Sequence, residues 1–240
     1  MASSARPTGW AAARFWWEAG RVSAAWAAGL LRAAAVISVI VALTVAAFPA
    51  GAATAAALST SAKADVARVK DYLNAMTTLQ ARFLQVTSSG AYAEGSIFIS
   101  RPGKLRIEYD PPVPVLMVSA GSSLIYYDKE LEQVSFLSID ATPAGYFVSE
   151  GIEFGGEITV TGFERRRGAL RLSLVKTDDP QEGNITLVFR DRPLALKKWI
   201  VVDAQGIETT ISLLGIRSGH DLNPDLFRFA DPRELKEPDR

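Results

Sequence analysis

The chain has 240 residues, with 26 Lys plus Arg, 26 Asp plus Glu, one His and no Cys. Because the charges balance, there is no overall basic field, which argues against nucleic acid as a partner. Without cysteine there can be no disulfide, thiolate metal site, cysteine nucleophile or lipid-modified N-terminal Cys. The lone His220 argues against histidine-based catalysis and against a multi-histidine metal site.

Residues 1–57 differ in composition from the rest of the chain. Four of the five Trp lie in the first thirty residues, with several Arg, and an uncharged apolar run (33–48) and small residues follow. This order predicts a signal peptide over 1–57. An uncleaved membrane anchor is the alternative, since residues 33–58 offer about the twenty apolar residues of a membrane span. In both cases the positive charges precede the apolar run, which places the domain formed by residues 58–240 outside the cytoplasm.

This domain is predicted to open with one amphipathic helix and to continue as strands. Asp65 is the predicted N-cap, and Val66, Val69, Leu73 and Met76 recur at helical spacing. From residue 79 onwards the apolar period becomes two, which is typical of strands. The predicted strands are residues 79–87, 94–100, 104–109, 115–119, 123–128, 133–138, 157–165, 169–176, 183–190, 194–202 and 208–217. Eleven short strands at near-hairpin spacing predict one large antiparallel sheet that is strongly curved or nearly closed.

Residues 140–156 interrupt the strand pattern. Thr142 and Pro143 are predicted to start a short helix that contains Ala144, Tyr146 and Phe147. A second short turn is predicted at residues 223–227, before the charged C-terminal tail.

Several strands carry apolar residues on both faces, with continuous runs at residues 115–118 and 124–127 and mixed patterns at residues 194–202 and 211–216. An antiparallel sheet with one solvated face should alternate instead, so these runs need cover on both faces. Either the sheet closes on itself, or it keeps an apolar hollow under a small lid. A hollow of that kind suits a lipid tail.

The polar motifs do not indicate an enzyme, a cofactor or a metal site. Asp178-Asp179-Pro180 reads as a turn between strands, with a metal site as the weaker alternative. Arg165-Arg166-Arg167-Gly168 reads as a hairpin with a basic tip, and contact with an anionic surface is the alternative. The sequence lacks a phosphate loop and zinc-ligand spacing.

Several segments occur in an order and spacing found together in one family. They are Gly95–Pro111, with Arg101-Pro102 at its centre; Leu116–Gly121, which contains Val118-Ser119; Leu124–Asp128; Thr142-Pro143; and Leu226–Phe229. In these motifs the chain resembles the periplasmic outer-membrane lipoprotein carrier protein family (LolA) over about residues 65–232.

The resemblance implies a mainly β fold with a few α-helices. The sheet would be a curved, unclosed antiparallel half-barrel of about eleven strands, with a short helical lid over an apolar cavity. It also implies a monomeric, non-enzymatic protein of the periplasm that binds the acyl chains of lipoproteins. Members of the family receive acylated lipoproteins from an ATP-driven release complex in the inner membrane and deliver them to an acceptor at the outer membrane. The sequence leaves open whether this carrier also performs the acceptor step unaided.

The resemblance also implies roles for individual residues. Arg101 matches an arginine whose guanidinium bonds backbone carbonyls of the lid and holds the empty cavity shut; a strand-end Arg in solvent is the alternative. Leu105 matches a position that faces the cavity, and Ile107 and Tyr109 share its face by strand alternation. The remaining residues expected in the cavity and lid are Met117, Tyr126, Ala144, Tyr146 and Phe147.

The sequence leaves three alternatives to a carrier. One is a periplasmic lipid- or lipoprotein-sensing regulatory protein, which would usually carry a second C-terminal domain that the chain up to Arg240 leaves no room for. Another is a lipid-anchored outer-membrane acceptor, which needs a cysteine. A hydrolase is the third, and turnover of esters or peptides that is lost in a single carboxylate variant would support it.

Overall fold

The computed structural model describes residues 58–231, so the predicted signal peptide or anchor at 1–57 lies outside the described residues. Helix α1 spans Thr60–Ala75 and helix α2 spans Gly145–Val148, and 3₁₀ turns occupy Ile139–Ala141 and Pro224–Phe227. The strands are β1 (Thr78–Thr87), β2 (Tyr92–Ser100), β3 (Lys104–Tyr109), β4 (Val115–Ala120), β5 (Ser123–Asp128), β6 (Gln133–Ser138), β7 (Ile158–Arg166), β8 (Ala169–Lys176), β9 (Gly183–Arg190), β10 (Ala195–Asp203) and β11 (Glu208–Ser218).

The eleven strands form one antiparallel sheet, in the order β6-β5-β4-β3-β2-β1-β11-β10-β9-β8-β7. Strands β6 and β7 are its two edges, so the sheet is an unclosed half-barrel, as predicted. All eleven predicted strands are present, each within two residues of its predicted bounds. Pairing of β1 with β11 brings the first and last strands together at the centre of the sheet.

One apolar core covers the inner face of the sheet, which is the face that contacts α1 and α2. Alternate residues of nearly every strand point into it, which is why the burial of β2 and β3 alternates along the strand. Its members include Leu73 of α1, Phe147 of α2 and Phe189 of β9. The two helices therefore supply the cover that the inner face requires.

The outer face of β4 and β5 is covered by the C-terminal segment. Leu116, Val118 and Tyr127 form a second, smaller cluster there, and Phe229 packs against it. The ring of Phe229 lies 5.5 Å from that of Tyr127. This cover buries the second face of the apolar runs at residues 115–118 and 124–127 without closure of the sheet. Apolar periodicity shows that a face is buried but not which segment buries it.

Helix α1 begins earlier than predicted. Ser59 is its N-cap, and the Ser59 hydroxyl accepts a hydrogen bond from the Ala62 N–H at 3.2 Å. Asp65, the predicted cap, instead lies buried inside the helix, with both carboxylate oxygens 2.6 Å from Nη2 of Arg165 on β7. The apolar period begins only at Val66, so the pattern could not reveal the preceding turn.

The predicted lid helix is shorter than expected and begins later. The Thr142 hydroxyl donates to the Ile139 carbonyl at 2.8 Å, which closes the 3₁₀ turn, and α2 then starts at Gly145. A Cβ atom at Gly145 would lie only 2.8 Å from the Ile139 oxygen. Glycine therefore allows the 3₁₀ turn and α2 to pack closely. We call residues 140–156 the lid segment.

Two predicted turns are present. Arg167 and Gly168 both have positive φ, 49° and 78°, and form the tip of the β7–β8 hairpin. The Asn223 side chain accepts from the Asp225 N–H at 3.0 Å and caps the 3₁₀ turn Pro224–Phe227. In residues 58–231, no helix is both long and apolar enough to cross a bilayer.

Candidate functional site

An apolar pocket lies between the inner face of the sheet and the lid segment. Strands β2, β3, β10 and β11 form its floor and α2 with the residues before it forms its cover. The lining residues are Ile97, Ile99, Leu105, Ile107, Pro143, Ala144, Phe147, Trp199, Val201, Asp203, Ile207, Thr209 and Ile211. Its cavity volume is about 30 Å³, so the pocket is almost filled by the protein's own side chains.

Strand register builds the floor of the pocket. Ile97 pairs with Ile107, and Ile99 pairs with Leu105, across β2 and β3. All four side chains are at most 3% exposed. Directly opposed β-branched and aliphatic side chains on one face make a continuous apolar surface.

An aromatic contact joins the lid to the far side of the floor. The rings of Phe147 on α2 and Trp199 on β10 lie 4.8 Å apart between centroids, with their planes tilted by 37°. Trp199 in turn pairs with Ile211 on β11. This contact closes the pocket over β10 and β11.

Arg101 connects the lid to helix α1. Its Nε donates to the carbonyl of Phe147 and its Nη1 donates to the carbonyl of Leu73, both at 2.8 Å. Both carbonyls lie in the last turn of a helix, where carbonyl groups lack partners within the helix and where the helix dipole favours a cation. One guanidinium therefore holds the ends of α1 and α2 together.

The environment of Arg101 is unfavourable for its charge. Burial lowers the pKa of the Arg101 guanidinium from its ordinary value. Its Nη2 atom is buried and has no hydrogen-bond partner among the described residues. A buried donor without a partner costs free energy. Hydration of Arg101 in an open arrangement would remove this cost.

The pocket contains only part of the predicted site. Leu105, Ile107, Ala144 and Phe147 line it, together with neighbours that were not predicted. Arg101 lies beside it and contacts the lid, as described above. The contribution of these residues to lipid binding stays a prediction.

The other predicted residues lie outside the pocket lining. Met117 and Tyr126 are buried in the core further along the sheet. The Tyr109 hydroxyl donates to Gln85 Oε1 at 2.8 Å, and burial raises the pKa of the Tyr109 phenol. Tyr146 is half-buried on the other side of α2, where burial raises the pKa of its phenol to about 12.

Sequence reasoning missed Ile97, Ile99, Trp199 and Ile211. For Ile97 and Ile99 a signal existed, because they share the alternation of the neighbouring strand that contains Leu105. Trp199 could have been noticed as the only Trp after residue 30. Its position opposite the lid depends on long-range strand pairing, which no local pattern reveals.

The site offers apolar contact and the polar contacts of Arg101 described above. Asp203 is the only ionisable residue among those that line the pocket, and its carboxylate accepts hydrogen bonds from the Gln205 and Ile207 N–H groups. No group of three or more His, Asp or Glu suited to a metal ion occurs in residues 58–231. The arrangement is suited to holding apolar groups.

The fold and the site define a class: an open β half-barrel whose apolar pocket lies under a helical lid. The family model described as outer membrane lipoprotein carrier protein LolA matches residues 74–230, and the chain belongs to this family. An outer-membrane lipoprotein carrier protein of Chromobacterium violaceum is 32% identical over 191 residues, which cover 76% of this chain and 91% of the relative. The corresponding protein of Methylococcus capsulatus is 30% identical over 178 residues, covering 69% and 83%. A crystal structure of a LolA superfamily protein from Nitrosomonas europaea aligns at 11% identity and a TM-score of 0.43, covering 68% of this chain and 97% of that protein.

Proposed function

We propose that this protein is a non-enzymatic periplasmic carrier that binds the acyl chains of lipoproteins between the inner face of the sheet and the lid segment. Membership of the lipoprotein carrier family supports this function. The single observation that carries it is an apolar pocket whose cover is tied to helix α1 by Arg101, through one hydrogen bond to the Phe147 carbonyl and one to the Leu73 carbonyl.

Cargo binding requires the lid to move. The cavity volume of about 30 Å³ is roughly tenfold smaller than the smallest typical ligand pockets, which measure about 300 Å³. Lifting α2 would separate Phe147 from Trp199 and expose the floor formed by β2, β3, β10 and β11. The described conformation is then the closed, cargo-free state.

Arg101 would make the affinity moderate. Each buried methylene contributes roughly 0.8 kcal/mol, so acyl chains would bind a permanently open pocket too tightly for easy release. When the closed state reforms, Arg101 regains its two carbonyl partners, and this gain competes with the cargo. We propose this competition as the reason a charged residue lies beside an apolar pocket.

The carrier would act between two membranes. It would receive acylated lipoproteins from an ATP-driven release complex in the inner membrane and deliver them, as a monomer, to an acceptor at the outer membrane or directly to that membrane. Neither catalysis nor nucleic acid takes part in this proposal.

A binding assay with a triacylated lipopeptide tests the proposal. The protein should bind the triacylated peptide with a stoichiometry of one, detected by native mass spectrometry, and should not bind the same peptide without acyl chains. Equal binding of both peptides, or of neither, would contradict the carrier function. Ester turnover by the same preparation would instead favour a hydrolase.

A further inference from the structure

The last turn of α1 holds the lid segment at a second point, separate from Arg101. The Asn74 side chain exchanges two hydrogen bonds with the backbone of Ile152. Its Nδ2 donates to the Ile152 carbonyl at 3.1 Å, and the Ile152 N–H donates to its Oδ1 at 2.8 Å. The Ile152 side chain is only 3% exposed, so side chain and backbone are both fixed at this point.

The fastening of α2 differs in kind. There the turn between β2 and β3 holds the lid, through Arg101 to the Phe147 carbonyl and through the Gly103 N–H to the Val148 carbonyl at 2.8 Å. Arg101 is charged and partly desolvated, and its buried Nη2 has no partner in the part of the chain that the structure describes. The hydration that Arg101 regains when it leaves offsets part of the hydrogen-bond energy that is lost, which favours opening at this fastening.

The Asn74 fastening gains little from opening. Its amide is neutral, and it satisfies both polar groups of the Ile152 backbone at once, so breaking it leaves two half-buried backbone groups to be rehydrated. Lys70, one turn earlier on α1, adds an exposed contact of 3.1 Å to Glu153, which contributes little on its own. Between the two fastenings lies Gly151, which is exposed and has open space around it.

Resting on the carrier function proposed above, we propose that Asn74 is the positioning residue of the lid hinge. It keeps Ile152 against α1 while α2 lifts away from the sheet, and the chain around Gly151 bends. The open lid thereby stays attached beside the pocket and returns to the same closed position after the cargo leaves.

Single-cysteine labelling tests the hinge, because the chain contains no native cysteine. Val148→Cys reports on α2 and Ile152→Cys reports on the hinge point, since both side chains are buried. Leu170→Cys, at 0% exposure in the sheet, reports global unfolding. Maleimide labelling rates are measured on the full chain without lipoprotein. The labelling assay can therefore reject the hinge without rejecting the carrier function, and the lipopeptide binding assay can reject the carrier function without rejecting the hinge.

The hinge predicts a different response at each reporter. Arg101→Leu should accelerate labelling at position 148 by about thirtyfold and leave position 152 within about twofold of the unaltered chain. Asn74→Ala should accelerate labelling at position 152 by about tenfold. Asn74→Asp keeps the acceptor for the Ile152 N–H but loses the donor. The labelling rate at position 152 in Asn74→Asp should therefore lie between the rates of the unaltered chain and of Asn74→Ala. Asp71→Ala, an exposed change on the same helix, should alter neither reporter.

Three results would overturn the proposal. The first is Arg101→Leu accelerating positions 148 and 152 equally, which would mean that the lid detaches as one piece. The second is an unchanged rate at position 152 in Asn74→Ala. The third concerns the case in which Asn74→Ala also accelerates labelling at position 170 and so unfolds the domain. The milder variant Asn74→Asp is then used, and an unchanged labelling rate at position 152 in Asn74→Asp would reject the hinge.

Discussion

Replacing Arg101 with leucine should shift the lid towards its open state. The change removes the hydrogen bonds to the carbonyls of Leu73 and Phe147 and leaves a shorter, apolar side chain. Hydrogen bonds to a charged group contribute about 1.5–3 kcal/mol each, or about 3–6 kcal/mol for the pair. Removing the partly desolvated guanidinium, whose Nη2 has no partner within residues 58–231, offsets about 1–3 kcal/mol of this loss.

The net effect is a closed state weakened by about 2 kcal/mol, which raises the ratio of open to closed protein about thirtyfold. Because apparent affinity scales with the fraction of protein that is open, the variant should bind a triacylated lipopeptide up to about thirtyfold more tightly. Release to acceptor vesicles should slow by a similar factor, since affinity differences in related complexes arise mainly in the dissociation rate.

Affinity is measured by titration with the lipopeptide, and release by transfer to vesicles. Arg106→Leu is the matched control, because Arg106 also donates to a backbone carbonyl, that of Leu226, but on the outer face of the sheet. The control should leave both affinity and release unchanged. Equal affinity and equal release in Arg101→Leu and the unaltered protein would refute the role of Arg101 in the lid.

Two further predictions concern the stability of the fold. Gly145→Ala should lower the unfolding temperature because its Cβ would lie 2.8 Å from the Ile139 oxygen, whereas Gly151→Ala, with no atom within 4 Å, should not; equal melting curves would contradict the close packing of α2. The hydrogen bond from Arg68 lowers the pKa of the Asp191 carboxyl, so its contribution to stability is present above about pH 4 and is lost as the pH falls through the lowered folded-state value. Asp191→Asn should therefore flatten the loss of unfolding free energy between about pH 4 and pH 2, measured by urea unfolding, and an unchanged slope would show that this carboxylate does not contribute.

Most of the sheet could be predicted because each strand carries its own signal. In β2 and β3 the alternation of apolar and polar residues fixes the strand, its inner face and its register together. Helix α1 was predicted too short, because the turn between Ser59 and Asp65 is polar or small and has no apolar period. Local patterns were therefore reliable where burial is periodic and failed where a cap alone defines the boundary.

The cover of the sheet could not be predicted in the same way. The apolar runs in β4 and β5 show that both faces are buried, but Phe229 is distant in sequence and carries no signal that it packs on Tyr127. The contact of Trp199 with Phe147 could not be predicted for the same reason. Nor could the hydrogen bond of Asn74, because its partner is the backbone of Ile152 and no side chain marks it in the sequence. These contacts depend on the closed three-dimensional arrangement and not on any segment alone.

Photocrosslinking shows whether acyl chains occupy the space between the sheet and the raised lid. A lipopeptide whose acyl chains carry a diazirine is bound to the protein and irradiated, and the adducts are mapped by peptide mass spectrometry. We expect adducts on the pocket floor, at Ile97, Ile107, Trp199 and Ile211, and on Phe147 of the lid. Adducts confined to exposed apolar residues of the outer surface, such as Phe136, would contradict it.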